Sequence, residues 1–148
     1  MAQAGKHILN DTSGVTRETP PSRTFSKPYW DATREKKLLL QYDPQSSRYQ
    51  FFPRPTGIAT GRRALEWREV SGKGEVFTYT VAHRAREPFR GHEPFLIVLV
   101  TLDEGVNVMA NMVDCGLDDI RIGLRVKPHW APLPNGTHLL MFTPDRKS

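Results

Sequence analysis

The chain has few of the residues from which recognisable catalytic and metal sites are built. It contains a single cysteine, Cys115, among 148 residues, so it forms no internal disulfide, and such usage is typical of a reducing compartment. No apolar run approaches the ~20 residues that a membrane-spanning helix requires. The first residues also lack the charged and apolar blocks of a secretory signal. We therefore expect a cytoplasmic protein with no membrane partner.

The five histidines occur without the spacing of a known metal or hydrolase motif, and the chain has neither a GxSxG elbow nor a phosphate-binding P-loop. His83, beside Arg84 and Arg86, follows a strand-like run and has either a structural role or that of a general base. Cys115 follows Asp114, whose charge opposes thiolate formation, so we expect an inert thiol. The sequence thus predicts no catalytic residue and no bound metal.

The chain is rich in turn-forming residues and in positive charge. Twelve prolines and eleven glycines predict short elements joined by many turns. The net charge of +5 is uneven: residues 17–73 hold 12 Lys and Arg against 6 Asp and Glu, whereas residues 74–148 hold 8 against 9. The first half is therefore suited to a phosphate-bearing ligand or an acidic partner, unless it is an ordinary solvated surface.

The first half divides into three parts. Residues 1–24 are polar and without periodicity, and predict a flexible tail. A helix is predicted from Ser26, as its cap, through about Lys37, with Pro28 in its first turn. Three strand-like runs follow at 38–43, 48–55 and 64–70. These runs have little to bury, and a unit of this size normally needs a metal or disulfides.

Residues 71–148 predict a five-stranded barrel. The strand-like runs lie at 72–83, 94–102, 106–113, 124–130 and 138–144, with a short helical turn at 117–120 between the third and the fourth. This order is that of an OB-fold. OB barrels can bind single-stranded nucleic acid by base stacking, and Phe77 and Tyr79 have a suitable spacing. Aromatic side chains on the first strand of a barrel are more often core, so we expect both to be core residues. Because this half is slightly acidic, we do not expect nucleic acid to be a partner.

Several segments together resemble one family, the acyl-CoA-associated OB-fold family, formerly the domain of unknown function 35. The resemblance is carried by PYWDATREKKLLLQ, QFFPRP, LEWREVSGKGEVFTYTVAHRA, LVTLDEGVNVMANMV and DIRIGLRV, and it covers about three quarters of the chain. It implies an N-terminal helix and a rubredoxin-like zinc ribbon over residues 25–70, followed by the OB-fold domain.

The chain departs from the family at the metal site. The resemblance places the four zinc-ligand positions, which are cysteines in the family, at Asp43, Ser46, Gly57 and Thr60. Only the aspartate is an ordinary metal ligand, and zinc needs about four. We therefore expect a degenerate, mostly β, metal-free ribbon, held by its own packing or by another subunit.

The resemblance also implies a function. Family members are similar in serving as non-catalytic subunits of acyl-CoA-processing enzymes, most often thiolase-like and sometimes hydratases or aldolases. We accordingly expect a hetero-oligomer with acyl-CoA as a possible ligand. The candidate CoA- or partner-binding residues are Arg48, Arg54, Arg62, Arg63 and His83. The alternatives are a stand-alone OB module that binds single-stranded nucleic acid, and an enzyme that acts on a CoA ester through His83.

Overall fold

Short strands dominate the structure, as the proline and glycine content predicts. The computed structural model describes Thr12 and residues 14–146. Over this part, α1 (Lys27–Thr33) precedes eight strands: β1 (Leu38–Asp43), β2 (Arg48–Gln50), β3 (Glu66–Val70), β4 (Gly74–Ala82), β5 (Phe95–Leu102), β6 (Asn107–Met112), β7 (Arg125–Pro132) and β8 (His138–Pro144). Within the described residues, no helix has the length and hydrophobicity needed to span a membrane.

Helix α1 is shorter than the sequence predicts. It ends at Thr33, not near Lys37, because the chain turns into the left-handed region at Lys36, where φ is 58°. The Lys36 and Lys37 amides then donate to the carbonyls of Thr33 and Ala32, at 2.9 and 3.1 Å. This pairing is a Schellman motif, which satisfies the last carbonyls of the helix and directs the chain into β1.

The start of α1 follows the prediction in position but not in its hydrogen bonds. Ser26 is the N-cap residue and Pro28 lies in the first turn, as predicted. The Ser26 hydroxyl, however, does not cap the helix: it donates to the Arg23 carbonyl and accepts from the Arg23 amide, at 3.1 and 3.0 Å. The side chain thereby fixes the preceding turn instead.

The described part of the N-terminal segment packs on the barrel, although the sequence predicted a flexible tail. Thr12 and Val15 are buried, and Arg17 donates to Asn111 of β6 at 3.2 Å. The Arg17 guanidinium also lies 5.0 Å from the centre of the Phe89 ring. The prediction for residues 1–11 and 13 lies outside the described residues.

Strands β1 to β3 form a three-stranded antiparallel sheet in the order β2-β1-β3, which with its loops (residues 38–70) we call the ribbon. Strand β1 is central and pairs along its length with β3, from Leu38 opposite Val70 to Tyr42 opposite Glu66. The second strand-like run forms a strand only as far as Gln50, because the chain then leaves the sheet to form the long loop 51–65.

Strands β4 to β8 close into a barrel in the order β4-β5-β6-β8-β7, which confirms the predicted OB-fold. All pairings are antiparallel except that of β6 with β8, where Met112 lies opposite Phe142. The predicted helical turn between β6 and β7 is a hydrogen-bonded turn at 117–119 and not a regular helix.

The prediction that Phe77 and Tyr79 are core residues is wrong. Strand β4 contains a register shift between Val76 and Thr78, so Phe77 has no partner on β5, and its side chain, opposite to that of the buried Val76, is 58% exposed. Tyr79 is 38% exposed. A bulge of this kind adds one residue to a strand and redirects the side chains that follow it, which a two-residue period cannot reveal.

One hydrophobic core joins the helix, the ribbon and the barrel. Leu38 and Leu40 of β1 are 2% and 1% exposed, and they belong to the same cluster as Tyr29 of α1 and the barrel residues Val98 and Phe142. The expectation that the ribbon has little to bury is therefore wrong, because β1 buries its leucines in the core that the barrel also forms. This packing places the long loop of the ribbon beside the barrel wall.

Candidate functional site

An apolar groove of about 410 Å³ opens where α1, loop 51–65 and the barrel meet. Its lining is aromatic and aliphatic apart from one serine: Pro20, Ser26, Tyr29, Trp30, Phe51, Phe52, Pro53, Val108, Met109, Leu139 and Leu140. A concave, mainly apolar cavity of this size is typical of small-molecule sites. The groove can therefore accept an apolar chain or ring system.

Packed aromatic rings form one wall of the groove. The centroid of the Tyr29 ring lies 5.1 Å from that of Trp30 and 5.9 Å from that of Phe51, and the Phe51 and Phe52 centroids are 4.3 Å apart. Burial raises the pKa of the Tyr29 phenol, so this ring remains neutral. The groove was not predicted from the sequence, although the paired aromatics of QFFPRP were a signal for it.

The opposite wall comes from the barrel. Met109 on β6 lies at the groove and is 67% exposed, although its neighbour Val108 is buried. Phe52, across the groove, is 63% exposed. Two large apolar side chains at the mouth of a groove mark a surface suited to an apolar ligand or a partner. The Met109 side chain lies on the face of β6 opposite to that of the buried Val108, and its place in the groove depends on residues distant in the sequence, so it could not be foreseen.

The family's four metal-ligand positions do come together at the tip of the ribbon, but as a hydrogen-bonded clasp. The Thr60 hydroxyl donates to Asp43 Oδ2 at 2.7 Å, and the Gln45 amide donates to Asp43 Oδ1 at 3.0 Å. A Cβ on Gly57 would lie 2.6 Å from Asp43 Oδ2, so this position suits only glycine while the carboxylate is there. Asp43 and Thr60 thus connect the two loops that zinc joins in the family.

These four positions do not fit zinc. Asp43 is their one anionic donor, Gly57 offers no side chain, and the hydroxyls of Ser46 and Thr60 are poor zinc ligands. In the described part of the chain, no group of three or more His, Cys, Asp and Glu side chains is placed to hold a metal. The hydrogen bond from Thr60, above all, lowers the pKa of Asp43, so the clasp holds an ionised carboxylate.

A buried pair of glutamines fixes the long loop on the ribbon. Gln50 Nε2 donates to Gln41 Oε1 at 2.9 Å and to the Thr56 carbonyl at 3.1 Å, and its Oε1 accepts from the Ile58 amide at 2.8 Å. Gln41 in turn exchanges two hydrogen bonds with the Arg54 backbone, at 2.7 and 2.8 Å. The pair thereby positions the loop that carries Phe51 and Phe52 into the groove.

The structure separates the four candidate arginines of the ribbon from the groove. Their side chains are exposed and form no ion pair with any residue in the described part of the chain; they are Arg48, Arg54, Arg62 and Arg63. Arg54 follows Pro53 of the groove, whereas Arg48 lines a different depression beside the β5–β6 turn. They form a basic ribbon surface with unpaired charge.

His83 and Cys115 show no arrangement for catalysis. His83 follows the end of β4, is exposed, and makes no hydrogen bond with any residue between 14 and 146 or with Thr12. Cys115 is buried, as expected, and burial with the nearby Asp119 raises the pKa of its thiol to about 11. The thiol is therefore protonated at neutral pH and a weak nucleophile.

Comparisons with known proteins agree on one family. A sequence profile of the ChsH2 C-terminal OB-fold domain matches residues 67–131. A "DUF35 domain-containing scaffold protein" of Methanocaldococcus jannaschii is 32% identical over 100 residues, which cover 66% of this chain and 71% of that relative.

Two further similarities concern proteins named for acyl-CoA chemistry or for an enzyme complex. A probable enoyl-CoA hydratase alpha subunit of Thermomonospora curvata is 27% identical over 125 residues, which cover 84% of this chain but 39% of that relative. Among solved structures, a chain of the Ltp2-ChsH2(DUF35) aldolase superposes with a TM-score of 0.76 at 26% identity, covering 86% of this chain and 100% of that one.

Proposed function

Since the chain belongs to the DUF35 family, we propose that it is a non-catalytic accessory subunit of an acyl-CoA-processing enzyme and helps to bind or channel the CoA thioester. The observation that carries this proposal is the likeness, over the full length of the matched chain, to a chain of the Ltp2-ChsH2(DUF35) aldolase. The scaffold and hydratase names of other relatives support the same role.

The ribbon surface is our candidate for docking. Its four arginines, Arg48, Arg54, Arg62 and Arg63, carry charge that no described residue pairs, and planar guanidinium groups are well suited to carboxylates on a partner or to phosphates. A thiolase-like enzyme is the partner we propose first. The hydratase and aldolase names of the relatives make these two enzyme classes the alternatives.

Co-purification of the tagged full chain from the organism that encodes it tests the docking role. We expect an acyl-CoA enzyme in fixed stoichiometry that remains bound through gel filtration. Arg62→Glu with Arg63→Glu should weaken this complex, whereas Arg121→Glu, an exposed arginine of the barrel, should not. Recovery of the chain alone, or with proteins unconnected to CoA thioesters, would contradict the proposal.

The groove is our candidate for the acyl portion of the thioester. Met109→Glu places a charge at its mouth and should reduce the affinity for octanoyl-CoA by about tenfold, with less effect on acetyl-CoA, because an apolar contact of a few methylene groups is lost. Ile122→Glu is the matched control, because Ile122 is 70% exposed and does not line the groove. Calorimetry with both ligands measures the difference; equal losses in the two variants would place the acyl chain elsewhere.

One observation favours a second function, the binding of single-stranded nucleic acid. Phe77 and Tyr79 are exposed on a barrel strand, where aromatic side chains of OB-folds can stack on bases. The same calorimetry with a poly-dT oligonucleotide decides between the two functions. Binding of the oligonucleotide that is tighter than that of octanoyl-CoA, and that is lost in Phe77→Ala, would favour the nucleic-acid function.

A further inference from the structure

A polar depression of about 450 Å³ lies beside the apolar groove and shares two of its lining residues, Pro20 and Trp30. The rest of its lining is hydrophilic: Thr19, Ser22, Arg23, Thr24, Lys27, Asp31, Arg34, Asn135 and Thr137. We call it the basic depression. The N-terminal part of α1 thus has an apolar cavity on one side and a hydrophilic one on the other.

Positive charge exceeds negative charge in the basic depression. Three cationic side chains, Arg23, Lys27 and Arg34, face one carboxylate, Asp31. Lys27 and Arg34 share that carboxylate, with nitrogen–oxygen distances of 2.5 and 4.0 Å. Arg23 forms no ion pair with any described residue. The lining therefore keeps two positive charges that its own carboxylate does not balance.

The remaining donors suit phosphate oxygens. Hydroxyl groups of Ser22 and Thr24 lie in the same lining, whereas the Thr137 hydroxyl already donates to Asn135 Oδ1. Hydroxyls and guanidinium groups are the common protein donors to phosphate. Arg34 is held in place by its hydrogen bond to the Asn135 carbonyl, at 2.7 Å. A donor that is already fixed loses less conformational entropy when a ligand binds.

We infer that the basic depression binds the phosphate-bearing nucleotide end of an acyl-CoA whose acyl portion occupies the groove, an inference that rests on the proposed function. An acyl-CoA is apolar at its thioester end and multiply anionic at its nucleotide end, with a flexible pantetheine arm between them. An apolar and a basic cavity with a common wall at Pro20 and Trp30 match this division.

This assignment separates two roles that the sequence analysis gave to the same arginines. None of Arg48, Arg54, Arg62 and Arg63 lines the groove or the basic depression. A ligand that extends from the groove across Trp30 reaches Arg23 and Lys27 instead. The ribbon arginines are then available to the partner enzyme, while the depression takes the phosphates.

Calorimetry on the full chain with octanoyl-CoA, octanoyl-dephospho-CoA and octanoyl-pantetheine tests the inference. We expect Arg23→Glu with Lys27→Gln to weaken octanoyl-CoA binding by about tenfold and to leave octanoyl-pantetheine unchanged, because only the former carries phosphates. Raising the salt concentration should weaken octanoyl-CoA binding in the unmodified chain more than in this variant, since exposed charges are screened. If the variant weakens octanoyl-CoA binding and leaves octanoyl-dephospho-CoA binding unchanged, the depression takes the 3′-phosphate.

The matched control is Arg62→Glu with Arg63→Gln, which changes the charge of the ribbon by the same three units. Loss of octanoyl-CoA affinity in this control, with none in the Arg23 and Lys27 variant, would place the phosphates on the ribbon and overturn the inference alone. Equal affinities for octanoyl-CoA and octanoyl-pantetheine would also overturn it, while leaving the acyl portion in the groove. If neither ligand binds, the proposed ligand-binding function fails and the inference with it.

Discussion

Asp43 shows how a single carboxylate can connect two loops. Its two oxygens accept hydrogen bonds from Thr60 on one loop and from Gln45 on the other, in the place where the family has metal ligands. The clasp differs from the cysteine site that the resemblance implies at three positions: Asp43 supplies an acceptor, Thr60 supplies a donor, and Gly57 leaves space for the carboxylate. The resulting link depends on pH, because its acceptor can be protonated.

The clasp predicts a specific effect of Thr60→Val. The pKa of Asp43 lies below its ordinary value of 3.8 chiefly because Thr60 donates to it. A lowered pKa in the folded state means that the ionised carboxylate contributes stability above the ordinary pKa, which is lost as the pH falls through the folded value. Thr60→Val should raise the pKa of Asp43 and shift acid unfolding to a higher pH, whereas Thr60→Ser, which keeps the hydroxyl, should not.

NMR titration of the Asp43 carboxyl carbon and acid unfolding followed by circular dichroism measure both quantities. An Asp43 pKa that is the same in Thr60→Val and in the unmodified chain would contradict the clasp.

The buried thiol of Cys115 leads to a second prediction about a single residue, which concerns its reactivity. Because burial raises the pKa of its thiol to about 11, the folded chain should react with Ellman's reagent at pH 8 far more slowly than the unfolded chain. In guanidinium chloride the thiol should titrate near its ordinary pKa of about 8.5 and react completely. Rapid stoichiometric reaction of the native chain would show that the thiol is accessible and activated.

At the scale of elements, the ribbon is held from two sides. On one face, Leu38 and Leu40 of β1 are buried in the common core, which ties the sheet to the barrel. At the other end, Gln41 and Gln50 hold the long loop by hydrogen bonds to its backbone. The loop in turn supports Phe51 in the groove.

Gln50→Leu should therefore destabilise the chain by about 2 kcal/mol, because it leaves the Ile58 amide and the Thr56 carbonyl without their partner at a partly buried site. Gln45→Leu is the matched control, since the Gln45 side chain is exposed, and it should change the free energy of unfolding by less than about 0.5 kcal/mol. Urea unfolding measures both values. A loss in Gln50→Leu no larger than that in the control would show that the glutamine pair does not stabilise the loop.

Local patterns predicted the strands of this fold better than its irregular features. The apolar run of β5 and the alternation of β6 are properties of neighbouring residues, and both strands lie where the sequence placed them. The end of α1 depends on the left-handed Lys36, a residue with no strong preference for that conformation. The bulge at Phe77, after which the alternation of β4 is lost, is set by pairing with another strand.

The candidate site was less predictable than the strands, because its residues are distant from one another in the sequence. The groove combines residues from α1, loop 51–65, β6 and β8, and no sequence pattern brings Trp30 together with Met109. The family positions of the clasp were an exception: the resemblance named all four, and hydrogen bonds join Asp43 to Thr60 in the structure. What the sequence could not show is that the Thr60 hydroxyl donates to Asp43 at the positions where the resemblance places metal ligands.

In the whole molecule, the ribbon and the barrel are not stabilised as two separate units. They share one hydrophobic core, and the Asp43 clasp adds a link within the ribbon. The helix, the ribbon and the barrel share a hydrophobic cluster, and the loops that zinc would join are connected by Asp43. We therefore expect folding of the ribbon to depend on its packing against the barrel and not on a bound metal.

This arrangement predicts that the purified chain contains no stoichiometric zinc and that a chelator leaves its unfolding midpoint unchanged. Elemental analysis and thermal unfolding with and without EDTA measure this. The control replaces Asp43, Ser46, Gly57 and Thr60 together by cysteine, which should restore about one zinc per chain if the loops keep the family geometry. About one zinc in the unmodified chain, removable only with loss of folding, would contradict the account.

We propose that the chain assists an acyl-CoA enzyme and does not itself carry out the reaction. The most direct measurement compares acyl-CoA turnover by the co-purified partner alone, by the chain alone and by the reconstituted complex, under identical conditions. We predict no turnover by the chain alone and a higher kcat/KM for the complex than for the partner alone, with the gain reduced by Met109→Glu. Turnover by the isolated chain, or a partner whose kcat/KM is the same with and without it, would contradict the claim.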